Sequence, residues 1–216
     1  MRVPEYSYLR LLNPLRQVQY SVVLSHLQAL EQFVRSSEAT HALVLEDDVD
    51  LASMQHWCFD LIDLAAAMPA DCGVLQLCVI WSADCRREEA RFLIPQRMQC
   101  HPRLRGEYST AAYLIRRQTA AAMVPFFKPE GQGFFHLLRY GDPDMMIADH
   151  LLYDHQGLEH GLPTLCLPLF CLGEEDLGLL IRRDGHALMH RASREFMQAY
   201  LTASNGLKLA DLGLPS

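Results

Sequence analysis

Short apolar runs alternate with longer segments of helical spacing along this chain, and that alternation restricts its fold more than any single residue. His41-Ala-Leu-Val-Leu45 is an apolar run too short for an ordinary helix, and it reads as a buried strand. Before it, Tyr20, Val23, Leu24, Leu27, Leu30 and Val34 recur at helical spacing, which predicts a helix over 17–34 with Pro14 just ahead of it. After it, Met54, Trp57, Leu61 and Leu64 predict a helix over 53–68 with Ser53 as its N-cap. Gly73 to Trp81, Arg91 to Ile94 and Ala111 to Ile115 read as further strands, and a helix is expected from Arg117 to about Val124. Asp144 to Asp154 reads as helical, and Glu195 to Leu201 as a short closing helix. Thr164 to Phe170 reads as a strand made irregular, or held at an edge, by Pro168. Such alternation predicts an α/β fold with a central, mostly parallel sheet flanked by helices. In sheets of that kind ligands gather beyond the carboxyl ends of the strands, which directs attention to the residues after Leu45.

Size and composition fit one globular domain over residues 1–216. The 19 basic against 26 acidic side chains leave a net charge of −7, without the basic footprint of a nucleic-acid-binding surface. No apolar stretch approaches the roughly 20 residues of a membrane span, and no apolar core follows Arg2 as it would in a signal peptide. The 7 cysteines are odd in number and contain no C-x-x-C pair, so they read as reduced, mostly buried thiols of a cytoplasmic protein. Lysine stands only at positions 128 and 208.

Glu46, Asp47 and Asp48 close the strand, and Asp50 follows. Alternation along an extended chain puts Glu46 and Asp48 on one side and Asp47 on the other. Carboxylates that converge stay ionised only where a cation or hydrogen-bond donors compensate them. A hard divalent ion, Mn²⁺ or Mg²⁺, suits one or two such carboxylates and keeps other positions for phosphate oxygens. The chemistry implied is stabilisation of a departing phosphate or diphosphate. The plainer alternative is an acidic turn in which Asp48 or Asp50 caps the next helix.

The surroundings of the triplet resemble glycosyltransferase family 25, the lipopolysaccharide and collagen-type sugar transferases. The resemblance is carried by Val23-Leu-Ser-His26, then Ala42-Leu-Val-Leu-Glu-Asp-Asp-Val49, then Tyr108-Ser-Thr-Ala-Ala-Tyr-Leu-Ile-Arg-Arg-Gln-Thr-Ala120 and Ala148-Asp-His-Leu-Leu-Tyr153. It implies a GT-A fold, a nucleotide-sugar donor, a glycan or glycoprotein acceptor and a Mn²⁺ or Mg²⁺ ion. Glu46 and Asp48 would then bind the metal in a DxD-like manner, joined by a C-terminal histidine, for which His190 is the candidate and His186 a second. Asp47, Arg10, Arg16 and His26 would serve the donor. Asp149 would face the acceptor hydroxyl as base or hydrogen-bond acceptor. Few residues precede the first helix, so the N-terminal nucleotide-binding strand of such a domain reads as short or missing.

Each of these residues also has an ordinary structural reading. His26 sits on the apolar face of its helix, Asp149 suits a helix surface, and Trp57 suits a core. Two other functions stay open at this stage. One is a non-catalytic binding module derived from a transferase. The other is a metal-dependent phosphohydrolase, against which Val49-Asp-Leu51 and the scarcity of lysine both count.

Overall fold

The computed structural model describes residues 14–81, 99–104, 106–137, 147–154, 162–173, 191, 193–195, 197–200 and 206–214, with 14–16 and 154 described by backbone alone. The chain divides into two compact units, Met1–Ala42 with Arg116–Leu162, and Leu43–Ile115 with Pro163–Ser216.

The first unit is helical. Helix α1 (Pro14–Ser36) spans the predicted segment and extends past it at both ends. Val23, Leu27 and Leu30 are fully buried at helical spacing, while Ser25, Gln28 and Ala29 are exposed. It packs on helix α3 (Arg117–Phe127), whose Thr119, Ala120, Met123, Val124 and Phe127 form the buried face. The last carbonyls of a helix have no partner within it. Here Arg117 supplies one. Its guanidinium donates to the carbonyl oxygens of Val34 (2.6 Å) and Ser37 and lies 5.7 Å from the Phe33 ring centroid. A cation at that helix end also complements the helix dipole. At the far end of α3, Lys128 Nζ lies 2.8 Å from both carboxylate oxygens of Glu31. Residues 148–149 are helical and lead into a wider turn, His150–Asp154, with Leu151, Leu152 and Tyr153 buried.

The second unit holds most of the sheet. Its strands are β1 (His41–Leu45), β2 (Val49–Asp50), β3 (Val74–Cys78), β4 (Ile80–Trp81), β5 (His101–Pro102), β6 (Glu107–Tyr108), β7 (Ala112–Arg116) and β8 (Thr164–Leu172). The division between units passes through β1 after Ala42 and through β7 before Arg116. The strand order is β1-β7-β3-β8-β2, with β5 also paired to β8, and β4 forms a separate ribbon with β6.

The architecture is mixed α/β, but the sheet is mostly antiparallel rather than mostly parallel. Strand β3 runs parallel to β8 and antiparallel to β7, while β2 and β5 both join β8 antiparallel. The apolar runs that suggested parallel strands report burial on both faces. They carry no information about direction. The central strands β3 and β8 are buried throughout, apart from the last residue of β8.

Of the two outcomes expected from Pro168, an irregular strand or an edge strand, the structure shows the first: β8 is interior and irregular. Gln76 pairs with Cys166 and Cys78 with Phe170, so β8 carries two extra residues between these pairs. Pro168 falls inside that bulge, where no ladder hydrogen bond from its nitrogen is needed.

The helix expected over 53–68 is also divided. Leu51–His56 forms a short 3₁₀ turn capped by Asp50, whose Oδ1 accepts from Ala52 N–H (2.8 Å). Ser53 is buried inside that turn and caps nothing in it. Helix α2 (Leu61–Ala67) starts afresh at Asp60, where Asp60 and Asp63 form a reciprocal capping box. Trp57 lies between them, stacked on Phe59 (centroids 5.2 Å apart) and edge-on to Phe170 (5.1 Å). Leu64, Met68 and Met197 join Leu75, Leu77, Leu167 and Phe170 in one core.

The Lys128 ammonium holds the Glu31 carboxyl below its ordinary value of 4.5, against the opposing effect of burial. A lowered folded value means that the pair stabilises the protein above pH 4.5 and that this contribution fades as pH falls through the folded value. Lys128→Met is expected to lower stability by about 0.5–1 kcal/mol at pH 7 and by almost nothing near pH 3. Urea unfolding of both proteins at the two pH values checks this.

Candidate functional site

The acidic triplet lies where the sequence places it, at the end of β1, and the sheet order explains its shape. β1 neighbours β7, whereas β2 neighbours β8. The link between β1 and β2 joins strands that are not neighbours, and its backbone contacts reach the ends of both β7 and β8. Glu46 N–H donates to the Ala111 carbonyl ahead of β7 (2.7 Å), and Gly173 N–H just past β8 donates to the Asp48 carbonyl (2.8 Å). Between them stands Cys78, the last residue of β3. Burial pushes its thiol up to about 12, a hydrogen bond with Ser109 opposes the rise, and the nearby Asp48 and Glu46 carboxylates add to it.

Glu46 and Asp48 are half-buried and Asp47 is exposed, which is the alternation expected of the triplet. Thr110 Oγ1 donates to Glu46 Oε1 at 2.7 Å. Asp50 faces away to its capping role, with the Cys171 Sγ 3.9 Å from its Oδ2. Glu46 and Asp48 offer oxygen donors alone, and burial keeps the neighbouring Cys78 and Cys171 thiols protonated. That donor chemistry fits a hard Mn²⁺ or Mg²⁺ ion, which takes one or two carboxylates and completes its shell with water and phosphate oxygens.

Thr110 is presented to Glu46 by a device that the sequence reading missed. Gln76 is fully buried in the middle of β3. Its Nε2 lies 2.9 Å from the Tyr108 carbonyl oxygen, 3.1 Å from that of Ser109 and 3.2 Å from that of Cys78. The amide thus gathers three backbone acceptors at the end of the strand. Ser109 takes φ +98°, a conformation costly for a residue with a side chain. Its hydroxyl accepts from Ala111 N–H (3.2 Å), which holds the turn ahead of β7. The signal in the sequence was a lone glutamine within an otherwise apolar strand, Val74-Leu-Gln-Leu-Cys78.

The remaining expected site residues are not gathered around the triplet by anything described. His26 is buried on α1, and Asp149 is half-buried in the helical turn at 148–149; both belong to the first unit. Arg16 lies in the first turn of α1. Arg10, His186 and His190 lie outside the described residues, as do the expected strand over 91–94 and the first three residues of the expected helix over 144–154.

A second cluster brings together histidine, glutamate and cysteine. His101 on β5 lies opposite Cys166 on β8. His101 Nε2 is 2.9 Å from Glu107 Oε1, and His101 Nδ1 is 2.9 Å from the Gln99 carbonyl oxygen. Leu104 N–H donates to Glu107 Oε2 at 2.8 Å. The Arg103 guanidinium donates to the Glu107 carbonyl oxygen at 2.8 and 3.1 Å. Glu107 and Cys166 are fully buried. Burial and the neighbouring Glu107 carboxylate push the Cys166 thiol well above its ordinary value of 9.0. One polar atom from each of His101, Glu107 and Cys166 lies within 4.8 Å of the others, and among the described residues this is the one such trio. The cysteines had read as small buried hydrophobes, which holds for Cys72, Cys78, Cys166 and Cys171 in the core but not for Cys58, which is exposed just past the 3₁₀ turn. Strand pairing alone brings Cys166 to His101, across 65 residues of sequence.

Neither protein-family models, nor curated proteins, nor solved structures give a match to this chain.

Gln76→Leu leaves buried carbonyl oxygens without their donor and is expected to cost about 2–3 kcal/mol. Gln76→Glu is expected to cost more, since a carboxylate of the same shape would face those carbonyls. Chemical denaturation of the two variants, side by side, checks the order.

Proposed function

We propose that this chain is a metal-dependent glycosyltransferase that moves a sugar from a nucleotide-sugar donor to the hydroxyl of a glycan or protein-linked acceptor. The observation that carries the reading is the pair Glu46 and Asp48, half-buried after β1 with Asp47 exposed between them. The motif resemblance supplies the reaction class.

In this reading Glu46 and Asp48 hold a Mn²⁺ or Mg²⁺ ion. Bound there, the ion would offset negative charge building on the departing diphosphate. Thr110 fixes the orientation of the Glu46 carboxylate, and the Gly173 amide fixes the backbone of Asp48. Such preorganisation matters because ligand groups already held in place lose little freedom on binding. By the resemblance, Asp47, Arg10, Arg16 and His26 belong to the donor side, His190 to the metal and Asp149 to the acceptor side.

Thermal unfolding with Mn²⁺ and a panel of nucleoside diphosphates tests the donor half. A ligand at about 100 times its Kd adds roughly 2.7 kcal/mol. For a chain of this size that is a rise in Tm of about 5–10 °C. The expected result is a nucleotide shift that requires Mn²⁺ and disappears in Asp48→Ala. No shift with any nucleotide would overturn the reading and favour a binding module. A shift with inorganic phosphate, and none with nucleotides, would favour phosphohydrolase chemistry.

Asp149→Asn tests the acceptor half. Loss of a general base lowers turnover by roughly 10²–10⁴. The Mn²⁺-dependent nucleotide shift is expected to remain, and steady-state kinetics beside the thermal assay separates the two effects.

A further inference from the structure

We propose that His101, Glu107 and Cys166 form a second, separate metal site, for a borderline-soft divalent ion of the zinc type. The three side chains come from β5, β6 and β8 and supply one nitrogen, one oxygen and one sulfur. Zinc accepts that mixture, whereas Mg²⁺ and Mn²⁺ favour oxygen.

The hydrogen bonds around His101 orient its ring towards the trio. The Gln99 carbonyl can only accept, so His101 Nδ1 carries a proton and donates to it. In a neutral imidazole Nε2 then presents a lone pair, and it faces the Glu107 carboxylate at 2.9 Å. Without a metal that contact is a hydrogen bond made by a shared proton, as in an imidazolium–carboxylate pair; a metal ion would take the proton's place between the same two atoms. A ring held by its far nitrogen on a backbone carbonyl is the arrangement usual for metal-ligating histidines. Glu107 is fully buried beside His101, so its carboxylate oxygens are held at a fixed place in the trio. Its second oxygen is oriented by Leu104 N–H, as a ligating carboxylate's commonly is. Cys166 completes the trio from the facing strand.

Dimensions agree. Bonds of about 2.0–2.3 Å to a tetrahedral ion separate its ligands by roughly 3.3–3.8 Å. The trio already lies within 4.8 Å, with the imidazole–carboxylate pair at 2.9 Å. A few tenths of an ångström of side-chain movement at His101, which is 17% exposed, opens that pair enough. Binding displaces the Cys166 thiol proton to solvent and forms a sulfur–metal bond without any change of oxidation state.

Cobalt is the probe. The full chain is stripped with a chelator and titrated with Co²⁺ alone. The expected result is a thiolate-to-cobalt charge-transfer band in the near ultraviolet that saturates at one equivalent and is bleached by Zn²⁺. The band should vanish in Cys166→Ser and weaken at least tenfold in apparent affinity in His101→Gln. His101 is partly exposed, so its variant remains informative if Cys166→Ser fails to fold. Asp48→Ala should leave the band intact, which keeps this site distinct from the one at the end of β1. Absence of the band in wild-type protein overturns the proposal, and so does a band that persists unchanged in a folded Cys166→Ser or in His101→Gln.

Discussion

The pairing of β8 on several sides at once is the constraint from which the second unit is built. It lies beside β3 on both sides of Pro168, beside β5 in its first half and beside β2 at its last residues. Every one of those partners is short, and two-residue strands such as β2 and β5 have no stability of their own. They exist because a long, buried strand offers them a template. The apolar sequence Thr164-Leu-Cys-Leu-Pro-Leu-Phe-Cys-Leu172 supplies the burial that makes the template rigid. Both chemically distinctive regions depend on it. The His101 cluster takes its sulfur from the first half, and the acidic link is tied down just past the last residue of the second.

Gln76 does for the other side of the sheet what β8 does for its partners. A primary amide in a dry strand is unfavourable unless its protons are used, and here they draw the carbonyls of residues 78, 108 and 109 together. The positive φ of Ser109 is the local cost of that gathering. The result is a hydroxyl, that of Thr110, held against Glu46. Core packing and the placement of polar groups are therefore one problem at this end of the molecule, solved by a single side chain.

Much of the local structure was legible in the sequence. The periodicity of Val23, Leu27 and Leu30 marked α1, and the apolar run ending at Leu45 marked β1. The alternation of Glu46, Asp47 and Asp48 correctly separated the half-buried pair from the exposed residue. What failed was whatever depends on pairing across the sheet. Strand direction leaves no trace in a run that is apolar on both faces, so the antiparallel majority was hidden. Pro168 signalled an interruption correctly, but a bulge inside a sheet and a place at its edge satisfy the same missing N–H. Ser53 was plausible as a cap by type, but Asp50 and Asp60, which cap as well, stand where the two turns actually begin. His101 and Cys166 are distant in sequence and meet only through strand register, which no local pattern encodes.

The two-residue offset at Pro168 divides β8 into halves that count their register separately. Pairing errors are costly in sheets because a slip of one residue moves every side chain to the opposite face. In β8 such a slip would be absorbed at the bulge and would stop there. A mispaired first half would displace Cys166 from His101 and still leave Val49 opposite Leu172 and Asp50 opposite Cys171. The bulge is thus a firebreak in the strand: misregistration on one side need not spread to the other during folding. Sequence change can likewise accumulate in one half without re-indexing the next.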